Sequence, residues 1–188
     1  MLKQRVYVMR NAGVTIILIV SLLLSGPLRA EVMDAASNGF TVKHVVTIAA
    51  TRDAVYRAAT QQVGAWWLDD HTLSGDASRL TMETEPLGCF CEDLGAGGSV
   101  VHMTVTFVNP TVIIRLTGGL GPLGLMGLAG NMTWEFADDP AGTRLTLTYA
   151  VGGYLADGLD PLAPAVDAVL LDQMSSLRAF VESLSTSN

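Results

Sequence analysis

Asp160-Pro161-Leu162-Ala163-Pro164-Ala165-Val166-Asp167-Ala168-Val169-Leu170-Leu171-Asp172-Gln173-Met174-Ser175-Ser176-Leu177-Arg178-Ala179-Phe180-Val181 leads to Leu184, near the end of a chain of 188 residues. The stretch reads as one long helix. Asp160 is suited to cap it, since a carboxylate accepts the N–H groups that an opening helix leaves unpaired. Pro161 fits the first turn, and Pro164 still falls among the first four N–H groups, which need no partner. Val166, Val169, Leu170, Met174, Leu177, Val181 and Leu184 then recur at steps of three and four as one apolar stripe. Asp167, Asp172, Ser175, Arg178 and Glu182 take the other side. At about 1.5 Å per residue the helix is roughly 36 Å long. A stripe of that length needs a broad partner, and the sequence before it has the period of a sheet.

The N-terminal thirty residues have a different character. Lys3, Arg5 and Arg10 precede an uncharged apolar run, Ala12 to Leu24, and Ser25-Gly26-Pro27 breaks it before the small Ala30. This is the layout of a secretory signal peptide. The run is short against the roughly 20 residues of a membrane span, so no permanent anchor is expected after its removal. No cysteine stands near the cut for a lipid, and no arginine pair for twin-arginine export. The expected organisation is a signal peptide at 1–30, a short segment at 31–38 and a single domain at 39–186, with a periplasmic or secreted location. The full chain carries a net charge of −7; loss of residues 1–30 leaves seven basic against eighteen acidic residues, near −11. Such a surface repels phosphate backbones, which argues against nucleic acid as a partner.

Phe40, Val42, His44, Val46 and Ile48 alternate with Thr41, Lys43, Val45 and Thr47, the pattern of a strand. Thr51 caps a helix with Asp53 in its first turn, Val55, Ala59 and Val63 on its apolar face and Gly64 placed to end it. Trp66-Trp67 belong to a second short turn or helix, followed by a polar loop from Asp69 to Asp76. From Ser78 the period is two: Leu80-Thr81-Met82-Glu83, Cys89-Phe90-Cys91-Glu92, Ser99 to Val108, Val112 to Leu116, Met132 to Phe136, and Leu145 to Val151. Gly95 to Gly98, Asn109-Pro110 and Asp138-Asp139-Pro140-Ala141-Gly142 are turns. The expected fold is α+β. About seven antiparallel strands form a curved sheet around the long C-terminal helix, with two short helices after the first strand.

Ile48-Ala49-Ala50-Thr51-Arg52-Asp53-Ala54-Val55-Tyr56 resembles the first-strand-to-helix motif of the START-like, or SRPBCC, superfamily. Trp66-Trp67, Leu87-Gly88-Cys89-Phe90-Cys91-Glu92, Asn109-Pro110, Gly119-Leu120-Gly121-Pro122-Leu123, Gly142-Thr143-Arg144-Leu145-Thr146 and the final helix are similar to its later landmarks. The resemblance spans about Phe40 to Leu184. The chain departs from the usual pattern at Thr51, where proline is common, and at Cys89 and Cys91, where arginine and tyrosine often stand. The resemblance implies a helix-grip fold with a deep cavity between sheet and helix. It also implies a place among binders of lipids and other apolar molecules, aromatic polyketide cyclases and chaperone regulators.

Gly119-Leu120-Gly121-Pro122-Leu123-Gly124 spells a dinucleotide-binding pattern, but Leu125 to Gly130 continues the glycine spacing toward a strand where that motif needs a helix. No nucleotide is expected there, nor any other cofactor. Five large apolar residues in this stretch suit either a mobile loop at a cavity mouth or a cap on the core. Cys89 and Cys91, two apart in a flat strand, stand at the limit of disulfide reach, with Cα atoms about 6.6–6.8 Å apart and parallel side chains. Buried free thiols are favoured over a disulfide, and a disulfide over a metal site completed by His102 across the hairpin; no metal is expected. His71 reads as solvated and His44 as inward. Glu92 is the acid to test first, against the competing reading of an outward strand residue. The ligand-lining set expected is Trp67, Phe90, Glu92, Met103, Trp134, Tyr149, Leu170 and Met174, aromatic and apolar walls that suit a small apolar or amphipathic molecule. An enzyme of the cyclase type using the same cavity, and an interaction protein with a closed core, are the rivals. No catalytic residue is assigned.

Overall fold

A computed structural model describes residues 29–186. The expected signal peptide therefore lies outside the described residues except for Arg29 and Ala30, which open the first strand. The elements are β1 (Arg29–Ala36), β2 (Gly39–Ile48), α1 (Arg52–Gln61), α2 (Val63–Trp66), β3 (Leu80–Met82), β4 (Cys89–Gly95), β5 (Gly98–Asn109), β6 (Ile113–Gly118), α3 (Pro122–Leu125), β7 (Ala129–Asp139), β8 (Gly142–Gly152) and α4 (Ala163–Thr186). All eight strands form one antiparallel sheet in the order β1-β2-β8-β7-β6-β5-β4-β3. The chain leaves β2 near one edge, crosses to the far edge through α1 and α2, and meanders back to lay β8 beside β2. α4 then crosses the sheet face, packing on β1, β2, α1 and α2. This is the expected α+β helix-grip architecture with one strand more. The extra strand, β1, comes from the segment read only as a short lead-in, and it pairs with β2 across a bulge between Val32 and Asp34.

The long helix differs from the reading at its start. Asp160–Leu162 is a 3-10 turn running into α4, and Asp160 lies inside that turn rather than capping it. Pro161 and Pro164 have no N–H to give, so a tighter first turn loses little. The stripe otherwise packs as its spacing requires: Leu170, Met174, Leu177 and Val181 are buried, while Leu184 at the end is exposed. Three polar residues fasten the helix. Buried Gln173 accepts from the Leu68 N–H at 3.0 Å, and the Ser176 hydroxyl donates to the Trp66 carbonyl. Glu182 accepts from the Ala49 N–H at 3.3 Å and from Arg178 at 3.1 Å, tying the far end of α4 to the turn after β2.

β2 keeps its alternation throughout, with Phe40, Val42, His44, Val46 and Ile48 all inward. Thr51 caps α1 by accepting from the Ala54 N–H. Gly64 does not end α1, which stops at Gln61; it sits within α2, where a Cβ would stand 2.8 Å from the Ala77 carbonyl oxygen. Close backbone approach, not a cap, is what this glycine provides. No described helix is long and apolar enough to cross a membrane.

Cys89 and Cys91 form a disulfide, which overturns the free-thiol expectation. β4 is not flat here, and its register with β5 is irregular. Phe90 pairs with Met103 but Cys91 pairs with Val101, so His102 is an extra residue on β5. Such a bulge bends the ladder, and the two Cα atoms are 5.4 Å apart, within ordinary disulfide range. The bulge also turns His102 inward beside Met103, both buried, while the cysteines stay half-buried on the other face. The ligand set imagined for a metal is not brought together. A ring this small restrains the unfolded chain weakly, so Cys89→Ser with Cys91→Ser is expected to cost about 1–2 kcal/mol in urea denaturation. Thiol titration of unreduced, denatured parent protein should find none free; a count of two would contradict the bridge.

Candidate functional site

A partly open cavity of about 390 Å³ lies under the first half of α4. Leu162, Ala165, Val166, Val169 and Leu170 give the helix wall. Trp67 and the turn Asp70-His71-Thr72-Leu73 give a second wall, and Leu120, Gly121, Pro122, Leu123 and Met126 the third. Each wall follows from its sequence. The adjacent pair Val169-Leu170 widens the apolar stripe beyond a single packing seam, and both residues border the cavity. Trp67 is fixed by its indole N–H, which donates to the His71 carbonyl at 3.1 Å. The glycine stretch folds back on itself so tightly that a Cβ on Gly119 would lie 2.6 Å from the Gly124 Cα. Gly121, at φ 56° and ψ −130°, holds a conformation open essentially to glycine alone.

The two readings of the glycine stretch are both realised in part. Leu120, Leu123 and Met126 face the cavity, whereas Leu128 is buried in the core and Leu125 is exposed. The stretch is anchored by Tyr149, whose hydroxyl accepts from the Leu120 N–H at 3.1 Å and donates to the Gly118 carbonyl at 3.2 Å. Burial raises the Tyr149 hydroxyl above its ordinary range, with the Leu120 N–H opposing, so it remains a neutral donor.

Of the eight residues expected to line a ligand site, Trp67 and Leu170 border this cavity. Phe90, Met103, Trp134, Tyr149 and Met174 are buried in the core and are not part of its lining. Trp134 stacks near Trp66 with ring centres 6.1 Å apart, and Phe90 against Trp67 at 5.3 Å. Glu92 is buried too, 1% exposed, not outward. It accepts from the Leu73 N–H at 3.1 Å and from the Ser74 N–H, and meets His102 Nε2 at 2.8 Å. Burial alone raises its carboxyl, but hydrogen bonds from Ser74, Leu73 and His102 outweigh that and hold it below the usual carboxylate range. Glu92 is therefore ionised at neutral pH. Its parity with Phe90 on β4 carried this information, since residues two apart share a face.

His71 is half-buried at the cavity rim rather than solvated. His44, fully buried as its alternation suggested, stands 3.1 Å from Asp167 of α4. The pair is close without the alignment of a hydrogen bond. Burial lowers the His44 imidazole below its ordinary value against the pull of Asp167, so the ring is neutral at pH 7 and the contact is not an ion pair. A second, shallower depression of about 440 Å³ involves Asp34, Thr41, Asn131 and Ala150 at the ends of β1, β2, β7 and β8. Thr41 alternates with inward Phe40 and Val42, which puts this depression on the outer face, away from the grip.

No family model matches the chain, and no curated protein matches it. Solved structures do. Protein MLL2253 from Mesorhizobium loti is 18% identical with a TM-score of 0.56, over 76% of this chain and 97% of that one. DynU16, from the dynemicin biosynthetic locus, is 19% identical with a TM-score of 0.54, over 76% and 47%. CalU16 from Micromonospora echinospora is 13% identical with a TM-score of 0.53, over 83% and 84%. The chain has their fold. At these identities the likeness extends to architecture, and the residues around the cavity must be argued on their own chemistry.

Proposed function

We propose that the chain is an exported START-like domain that binds a small, uncharged apolar or amphipathic molecule in the cavity beneath α4. The observation that carries this is the cavity's size and lining: about 390 Å³, walled by leucine, valine, tryptophan and methionine. That volume falls in the range of small-molecule sites, which are mostly apolar with a few placed polar groups. Here the polar groups are Asp70, His71 and Thr72, gathered on one wall. Among the described residues no lysine or arginine lines the cavity, and the whole chain is acidic. A carboxylate head group would find no counter-charge, whereas a hydroxyl could meet His71 or Thr72. Burying roughly 300 Å² of ligand at about 25 cal/mol per Å² gives several kcal/mol before the costs of association.

Export is supported by the N-terminal charge and hydropathy pattern and by the disulfide, which persists in oxidising compartments. Cleavage after Ala30 leaves Glu31 to Ala36 available as the edge strand. The enzyme reading has one observation in its favour, the buried Glu92–His102 pair close to the cavity. Neither side chain reaches the wall, so binding is the better reading.

N-phenyl-1-naphthylamine, a neutral dye that brightens in apolar surroundings, tests it. Saturable binding at one site per chain is expected, with displacement by dodecan-1-ol and much weaker displacement by dodecanoate. Absence of saturable binding would overturn the proposal, and equal displacement by the two would overturn its preference for uncharged ligands.

A further inference from the structure

We infer that Glu92 and His102 form a proton-operated latch that ties two lips of the cavity together and releases one of them in acid. The inference rests on the binding role proposed for the cavity, since it concerns how that site opens.

The geometry is a chain of hydrogen bonds running beneath the cavity. Glu92 on β4 accepts from the backbone N–H groups of Leu73 and Ser74, the lip that follows Trp67. The same carboxylate meets His102 Nε2 at 2.8 Å. The other ring nitrogen, Nδ1, accepts from the Gly121 N–H at 3.3 Å. Leu73 and Gly121 both line the cavity, on opposite lips. These partners fix the tautomer. A carboxylate can only accept, so Nε2 carries the hydrogen, and Nδ1 keeps the lone pair that the Gly121 N–H requires. Both side chains are buried, 5% exposed for His102 and 1% for Glu92, so water cannot readily substitute for a lost partner.

Protonation of His102 reverses one end of this chain and strengthens the other. The imidazolium donates from both nitrogens. Its Nε2–H faces the ionised Glu92 more favourably than before, so the Leu73–Ser74 lip stays held. Its Nδ1–H now points at the Gly121 N–H, donor against donor, and that bond is lost. Leu120 is still held by Tyr149 and Leu123 by its burial in the core, but Gly121 between them loses its hydrogen bond to the sheet beneath it. Glu92 remains a carboxylate across the range in which an imidazole changes charge. The charged or titratable groups around His102 are Glu92 from β4, the Tyr149 hydroxyl of β8 acting through Leu120 and Gly118, and Asp70 and His71 on the opposite wall of the cavity. His71 is the other imidazole at the cavity, and among the described residues it makes no bond across the two lips.

Two measurements test the latch. The first needs no ligand: amide exchange of the parent protein by NMR, each amide corrected for its intrinsic rate. Between about pH 8 and about pH 5, protection at Gly121 should fall about tenfold or more, while protection at Leu73 and Ser74 holds within roughly twofold. The second is stopped-flow release of N-phenyl-1-naphthylamine, expected to speed up about tenfold over the same interval in the parent and in His71→Gln, and to lose that dependence in His102→Gln. Unchanged Gly121 protection, loss of Leu73 and Ser74 protection together with it, or a pH dependence that survives in His102→Gln would each overturn the latch. Should His102→Gln not fold, imidazole nitrogen shifts of the parent near neutral pH decide: a hydrogen on Nδ1 rather than Nε2 overturns it. If the dye does not bind yet Gly121 loosens in acid as described, the latch stands and the binding role falls.

Discussion

Glu92→Ala is expected to cost about 3–5 kcal/mol of folding stability, because it leaves several buried donors without an acceptor. The substitution strands three donors at once: the N–H groups of Leu73 and Ser74, and His102 Nε2. None has a replacement among the contacts of the described residues, and an unsatisfied buried polar group costs about 1–3 kcal/mol by itself. Glu92→Gln keeps an acceptor and should cost less than half as much. The difference between parent and Glu92→Ala should also depend on pH. The Glu92 carboxyl is lowered in the folded state, so its stabilisation is complete above the ordinary carboxyl range and disappears as the pH falls through the lowered folded value. Urea denaturation at neutral pH and again in strong acid reads both effects. A loss under about 1 kcal/mol at neutral pH would mean that Glu92 is solvated and the network absent.

Val169→Trp should weaken binding of N-phenyl-1-naphthylamine more than tenfold, or about 1.4 kcal/mol or more, while leaving the melting temperature close to that of the parent. Val169 is half-buried and borders the cavity, so an indole there has space to occupy. The contrast is Met174→Trp. Met174 is 2% exposed and off the cavity wall, so added bulk there meets packed side chains and costs about 1–3 kcal/mol through strain. The same chemical change one helical turn and a little more along α4 thus has opposite readouts. If both variants keep full dye affinity, the dye sits elsewhere. If Val169→Trp melts as early as Met174→Trp, the space beside Val169 is not available to a ligand.

The fold was legible because its two periods were. β2 and β8 alternate without interruption, and α4 carries a stripe at steps of three and four; the strands keep their alternation, and Leu170, Met174, Leu177 and Val181 of the stripe are buried. The position of the cavity was half legible, since the doubled apolar row at Val169-Leu170 marked a helix surface wider than one seam. β1 was not legible. Glu31-Val32-Met33-Asp34-Ala35-Ala36 is poor in strand-forming residues, and its pairing is broken by a bulge, so its place in the sheet is set by β2 rather than by its own pattern. The β4–β5 hairpin misled for a related reason. A single extra residue, His102, reverses every parity beyond it, and no residue type in Ser99 to Val108 announces where that residue falls. From that one bulge follow the inward histidine and its pairing with Glu92. The polar ties of α4, Gln173 and Ser176, were equally silent, because their partners are backbone groups about a hundred residues earlier in the chain.

The cavity beneath α4 as the seat of an apolar ligand is the claim on which the rest depends, and methyl-resolved NMR of the complex with N-phenyl-1-naphthylamine tests it most directly. Intermolecular NOEs from the dye to the methyl groups of Leu123, Val166, Val169 and Leu170 are the predicted result. NOEs instead to Thr41 and Ala150, in the depression on the outer face of the sheet, would contradict it.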